Sequence, residues 1–535
     1  LLVLQLLLES GRLFKSKIKL ILMKNTLPKF LRRFTLLIGL LGVMFYSEDA
    51  FAQKKKKKDS KNTPAATTPP ARPQNGGNNK GPKPYKDVIT KDAKSKTGLF
   101  KVHEIDDKYF YEIPDSLFGR DMLMVTTIAK TADGIGYGGE RTNTLMLRWE
   151  KEKDAVLLKV VSVDNYAADS LPIAKAVQNS NLEPILQRFD VKSKATDSTG
   201  TVIEATDLFA KDVQALGLQR NRRTQYRVQR LDGDRSYIVH INTYPINIEA
   251  RYVLTYAAAE PPSNSSTGLI TLEMNSSMVL LPKEPMMQRL ADQRVGWFGR
   301  SYVDYGADAQ KAESRRFLDR WRLEVKEEDM EKFKRGELVE PKKPIVYYID
   351  PATPTKWVPY LKQGVEDWQK AFEAAGFKNA IIAKEAPSPE EDPTWSPEDA
   401  RYSVIRYFAS DIQNAYGPHV SDPRSGEIIE SDIGWYHNVM NLLRNWYFIQ
   451  TAAINPEARS VKFKDEVMGR LIRFVSAHEV GHTLGLPHNF ASSHAYPVEK
   501  LRDPLIQSSL QKWEQLHLLW TMRDLIISLS LKTRA

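Results

Sequence analysis

Between residues 85 and 340 apolar and polar positions alternate in short runs. They lie at 99–105, 108–113, 122–128, 143–149, 155–161, 237–243 and 268–274. Period-two alternation broken by Gly, Asp and Pro predicts antiparallel strands, in one sheet domain or two. The pattern changes near 341. A strand at 344–350 precedes Leu361, Val365, Trp368 and Phe372, spaced four, three and four apart. That spacing predicts one amphipathic helix over 357–375, stopped by Gly376. Strands follow at 380–383 and 402–408, then a Gly/Pro/Ser/Asp-rich loop at 414–426 and a strand at 427–436. A second helix runs from 464 to 484, with Val467, Leu471, Phe474 or Val475, and His478 on one face. The fold class is therefore α+β: a β-rich N-terminal region, 85–340, then a twisted mixed sheet with a long helix, 341–504.

The second helix carries the chemistry. It ends in His478-Glu479-Val480-Gly481-His482-Thr483-Leu484-Gly485-Leu486-Pro487-His488. Residues four apart project from one helix face, so two imidazoles can reach one Zn²⁺ at about 2.0–2.1 Å. Gly485 can turn left-handed and stop the helix, Pro487 discourages its continuation, and His488 returns as a third ligand. Three ligands leave a position open, the mark of a catalytic rather than a structural zinc site. Glu479, beside the first ligand, is placed as general base. Three of the nine histidines fall within these eleven residues, which argues against coincidence.

The pattern H-E-x-x-H-x-x-G-x-x-H resembles the metzincin clan of zinc metallopeptidases, and residues 85–489 resemble large secreted bacterial members with β-rich N-terminal regions. The resemblance implies His478, His482 and His488 as ligands and Glu479 as base. It also implies a substrate-binding edge strand above the metal. Glu427, Ile428, Ile429, Glu430, Ser431, Asp432, Ile433, Gly434, Trp435 and Tyr436 are the expected strand, gripping a peptide by its backbone. His419 and His437 flank that strand and read as surface residues, a role near the substrate being the alternative, whereas His103 and His240 in the N-terminal runs read as packing or surface residues. Asp121 reads as a turn residue, the alternative being a carboxylate that caps zinc in a latent form.

The net charge of +11 does not indicate nucleic acid. Residues 1–84 hold 17 Lys/Arg and 4 Asp/Glu, a net of +13, which leaves −2 for the rest. Residues 1–22 read as upstream sequence before an initiating Met23. Residues 23–52 read as a signal peptide: Lys24, Lys29, Arg32 and Arg33, an apolar run at 34–46, and Ala50-Phe51-Ala52. A run that short does not span a bilayer comfortably, so export to the periplasm, surface or medium is expected, without a lasting membrane span. Residues 53–84, rich in Lys, Pro, Thr, Asn and Gly, read as a disordered tether. The chain has no cysteine, so core burial must stabilise it without disulfides.

One family feature is missing. No Met-containing turn follows His488, and residues 505–535 run on without caps or turns. Across Trp520-Thr521 the shifted reading frame forces an Asp codon, and the neighbouring codons permit Ser-Ile-Met-Asp. The tail therefore reads as out of frame, leaving the C-terminal subdomain missing. The expected function is a secreted zinc endopeptidase acting on protein or peptide substrates. A secreted binding or structural protein with a truncated, inactive protease domain is the alternative, and hydrolysis of a non-peptide bond stays open.

Overall fold

The computed structural model describes residues 81–132, 134–453 and 455–488. They belong to one compact unit that begins at Asn79. The expected upstream segment, the signal peptide, the tether up to residue 80 and the out-of-frame tail lie outside the described residues.

In the N-terminal region, twelve described strands join in one antiparallel sheet. At its centre the hairpin of Asp121–Thr131 and Arg141–Glu152 lies beside the hairpin of Asn247–Ala258 and Leu269–Leu280. Strands Lys94–Thr97, Ile185–Lys194, Gly200–Glu204, Val228–Leu231 and Asn247–Ala258 are additions to the expected set. One face buries Phe100, Tyr111, Trp149, Leu254 and Tyr256 in a continuous core. The Phe100, Tyr111 and Trp149 rings meet edge-on at centroid distances of 5.5–6.5 Å, a favoured aromatic geometry.

The second region holds a five-stranded sheet in the order Ile381–Glu385, Ile345–Ile349, Ser403–Phe408, Ile433–Tyr436, Ala415–Tyr416. The first four strands are parallel and the last is antiparallel. Helices Val358–Glu366 and Asp465–Thr483 pack with this sheet around a second core that includes Leu361, Trp368, Trp435, Ile472 and Val480. That core also takes Trp297, Leu318 and Val339 from ahead of residue 341. A three-stranded sheet of Glu313–Leu318, Gly299–Asp304 and Asn165–Tyr166 leads into it.

Three expectations need correction. The helix over 357–375 is two helices, Val358–Glu366 and Gln369–Ala374. At the break Asp367 chelates the Arg473 guanidinium at 2.5 and 2.7 Å, and the Trp368 indole donates to the Ala477 carbonyl at 2.8 Å. Both residues keep right-handed helical φ/ψ: the Asp367 amide still donates to the Gln363 carbonyl at 2.9 Å, and the Trp368 amide reaches only the Val365 carbonyl at 3.4 Å, so the winding tightens for one turn rather than ending. The run Glu427 to Tyr436 is likewise not one edge strand. It divides into Ile428–Glu430, paired with Val420–Ser421, and Ile433–Tyr436. Between them the Ser431 amide donates to Ser403 Oγ, and Asp432 accepts from the Val404 amide. Ile433–Tyr436 is buried throughout and lies inside the sheet, as its near-continuous apolar character requires. The edge is Ala415–Tyr416. Finally, the buried stripe of the last helix runs through Val467, Ile472, Val475, Ser476, Glu479, Val480 and Thr483, which leaves Leu471 and Phe474 at its margin.

Candidate metal centre

Close packing holds the last helix in place. Gly364 lets the two helices touch: a Cβ there would lie 2.5 Å from Ser476 Cβ and 2.6 Å from the Arg473 carbonyl oxygen. Ser476 Oγ donates to the Leu361 carbonyl, and the Tyr347 hydroxyl donates to Thr483 Oγ1 at 2.6 Å. The helix ends in a left-handed glycine cap. Gly485, at φ +105°, donates to the His482 carbonyl at 3.0 Å, and the Leu486 amide donates to that of Gly481 at 3.1 Å. This turn carries His488 back beside the helix.

The three Nε2 atoms of His478, His482 and His488 then lie 3.1, 3.1 and 3.2 Å from one another. Ligand nitrogens on a tetrahedral ion with 2.0–2.1 Å bonds are separated by about 3.3 Å, so the set fits zinc closely. His482 Nδ1 lies 2.6 Å from the Leu486 carbonyl oxygen. Donation of an Nδ1 proton there leaves the Nε2 lone pair facing the other two rings, as metal ligation needs. No other group of three or more His, Cys, Asp or Glu among the described residues could hold a metal.

Glu479 is 7% exposed. Burial pushes its carboxyl up to about 7, and a backbone hydrogen bond from Gly417 pulls the other way. Gly417 directly follows the edge strand Ala415–Tyr416 and packs so tightly that a Cβ there would lie 3.0 Å from Glu479 Oε2. Any larger residue would displace either the edge or the base.

Several residues in this setting were not apparent from sequence. Phe298 donates its amide to the Gly485 carbonyl at 2.7 Å, and its ring stands 6.1 Å from that of His482. The Trp321 indole donates to the Thr483 carbonyl at 3.0 Å, and Trp297 closes on Gly485. Asp319, 5% exposed, lies 3.1 Å from His419 Nε2. His419 is therefore a partly buried member of this wall rather than a surface residue. Residues 297–321 read as more of the N-terminal strand pattern, and nothing local marks them as support for a motif over 160 positions away. His437 bonds the Tyr407 hydroxyl, and His103 is buried against Glu112 and Ser95. Asp121 holds Arg148 and Arg424, at 2.7 and 3.1 Å, so it ties the two regions together. Of the expected substrate strand, Glu427 pairs with Arg322 at 2.6 Å. Burial raises the Glu430 carboxyl well above its usual range.

Residues 460–509 match a family described as Met-zincin, across the helix and all three histidines. Residues 82–131 and 139–326 match two domains of unknown function, DUF5118 and DUF5117. No curated protein and no solved structure matches the chain.

Proposed function

We propose that this chain is an exported, zinc-dependent endopeptidase, with His478, His482 and His488 holding the metal and Glu479 as general base. The convergence of the three Nε2 atoms at 3.1–3.2 Å carries the reading. The Met-zincin match over the same stretch supports it. Bound there, zinc supplies Lewis acidity that makes water a competent nucleophile near neutral pH. Glu479 takes the proton from the attacking water and passes it to the leaving amine. Its burial limits competition from bulk water at both steps. Gly417 holds it by its backbone. An extended peptide adds to the open side of Ala415–Tyr416, so the substrate strand is this segment rather than residues 427–436.

The test uses protein translated from a gene resequenced through residue 505. Glu479→Gln should retain zinc while casein cleavage falls by roughly 10²–10⁴-fold. Proteolysis at the parental rate would refute the assignment. Full-length protein that binds no zinc and cleaves nothing would favour the binding or structural alternative.

A further inference from the structure

The proposed function leaves the large N-terminal sheet unused, yet one of its turns packs on Ile433–Tyr436, the strand that pairs with the edge strand. Residues 134–140 read Gly-Ile-Gly-Tyr-Gly-Gly-Glu and join Asp121–Thr131 to Arg141–Glu152. Gly134, Gly136 and Gly139 have positive φ, conformations that other residues rarely adopt. Glycine at such density costs conformational entropy; burial of Ile135 in the N-terminal core anchors one side of the turn, and the display of Tyr137 on the other still needs a reason. A bulge between Thr126 and Thr127 bends the hairpin just before the turn.

The turn docks on the sheet face opposite the metal helix. The Gly138 carbonyl accepts from the Tyr436 hydroxyl at 3.0 Å, and the Tyr137 ring stands edge-on to that of Tyr436 at 5.9 Å. Gly139 lies against Phe408 and Tyr436. Phe408, Tyr436 and Tyr416 share this face, because Phe408 registers with Tyr436 and Tyr416 with Gly434. Arg141 donates to the His419 carbonyl at 3.1 Å and so fastens the turn to the segment containing Gly417, which supports Glu479. Tyr137 is half-buried and Tyr416 is 37% exposed at the margin of the sheet.

We infer that Tyr137, presented by the glycine turn, is a specificity-determining residue that forms with Tyr416 an aromatic wall selecting a large apolar side chain in the substrate. This rests on the endopeptidase reading. A peptide added to Ala415–Tyr416 points alternate side chains to the Tyr416 face, and the nearest meets these two rings. The N-terminal sheet is then part of the cleft rather than an appendage. Arg141 is a positioning residue that keeps wall and edge strand in register.

Quenched fluorogenic peptides varied one position at a time, cleaved by zinc-loaded full-length protein, test this. Parent protein should prefer Phe or Leu over Ala at one position by about tenfold in kcat/KM, the scale of a contact in an apolar pocket. Tyr137→Ala should reduce that preference below about threefold, and Tyr137→Phe should keep it. Should Tyr137→Ala fail to fold, Tyr416→Ala removes the facing ring and should lose the same preference. Tyr237→Ala, an exposed tyrosine elsewhere on the N-terminal sheet, should not change the profile. An unaltered preference in Tyr137→Ala or Tyr416→Ala overturns the inference, as does a parent without any such preference. Cleavage by Glu479→Gln at the parental rate instead overturns the endopeptidase reading.

Discussion

Replacing Gly485 by alanine tests the link between the helix cap and the metal site. The residue sits at φ +105°, outside the range that L side chains favour, which alone costs about 1–3 kcal/mol. An added Cβ would also land on the Trp297 indole nitrogen and 2.5 Å from the Asp319 carbonyl oxygen. Neither can retreat freely. Trp297 is 7% exposed in the second core, and the Asp319 amide donates to the Phe298 carbonyl at 3.0 Å. Overpacking of this kind costs a further ~1–3 kcal/mol, and local movement relieves part of both strains. We expect a net loss of about 3 kcal/mol, read as a fall of several degrees in Tm. The simplest movement carries His488, three residues on, away from the other rings. Zinc affinity, measured by competition with a chelating indicator, should therefore weaken by roughly 10–100-fold, as when the groups that orient a ligand are lost. Parental Tm and parental zinc affinity in Gly485→Ala would refute the reasoning.

Two further variants address buried packing, one in the N-terminal sheet and one beneath the metal helix. Burial pushes the Glu249 carboxyl up to about 7 from 4.5, so the folded state holds a proton that the unfolded state has released. Stability contributed at this site is therefore lost as pH rises from about 4.5 to 7. Glu249→Gln should stabilise by up to about 3 kcal/mol above pH 7 and by little below pH 4.5. Rotation of the Asn275 amide, whose Oδ1 has no hydrogen-bond partner, can accept the new amide. Urea titrations across pH check this, and a constant offset between variant and parent counts against it. Gly364→Ala should destabilise by ~1–3 kcal/mol despite the better helix propensity of alanine, because the Arg473 carbonyl cannot leave the contact. An equal or higher urea midpoint would show that the helices can separate at little cost.

The sequence by itself determined the local elements and the ligand spacing. Alternation located seven of the twelve described strands of the large N-terminal sheet, and the last helix, expected over 464–484, is Asp465–Thr483. The offsets of His478, His482 and His488 and the stop at Gly485 follow from helix geometry, which is a property of neighbouring residues. Only the tertiary structure decided what surrounds them. Gly417 lies against Glu479, Phe298 and Trp297 close on the cap, and the turn at Tyr137 meets Tyr436, all across separations of tens to hundreds of residues. Strand order is also non-local, and for that reason residues 427–436 read as an edge although Ala415–Tyr416 takes that place. Periodicity reports which face of an element is buried. It carries no record of the element that covers it.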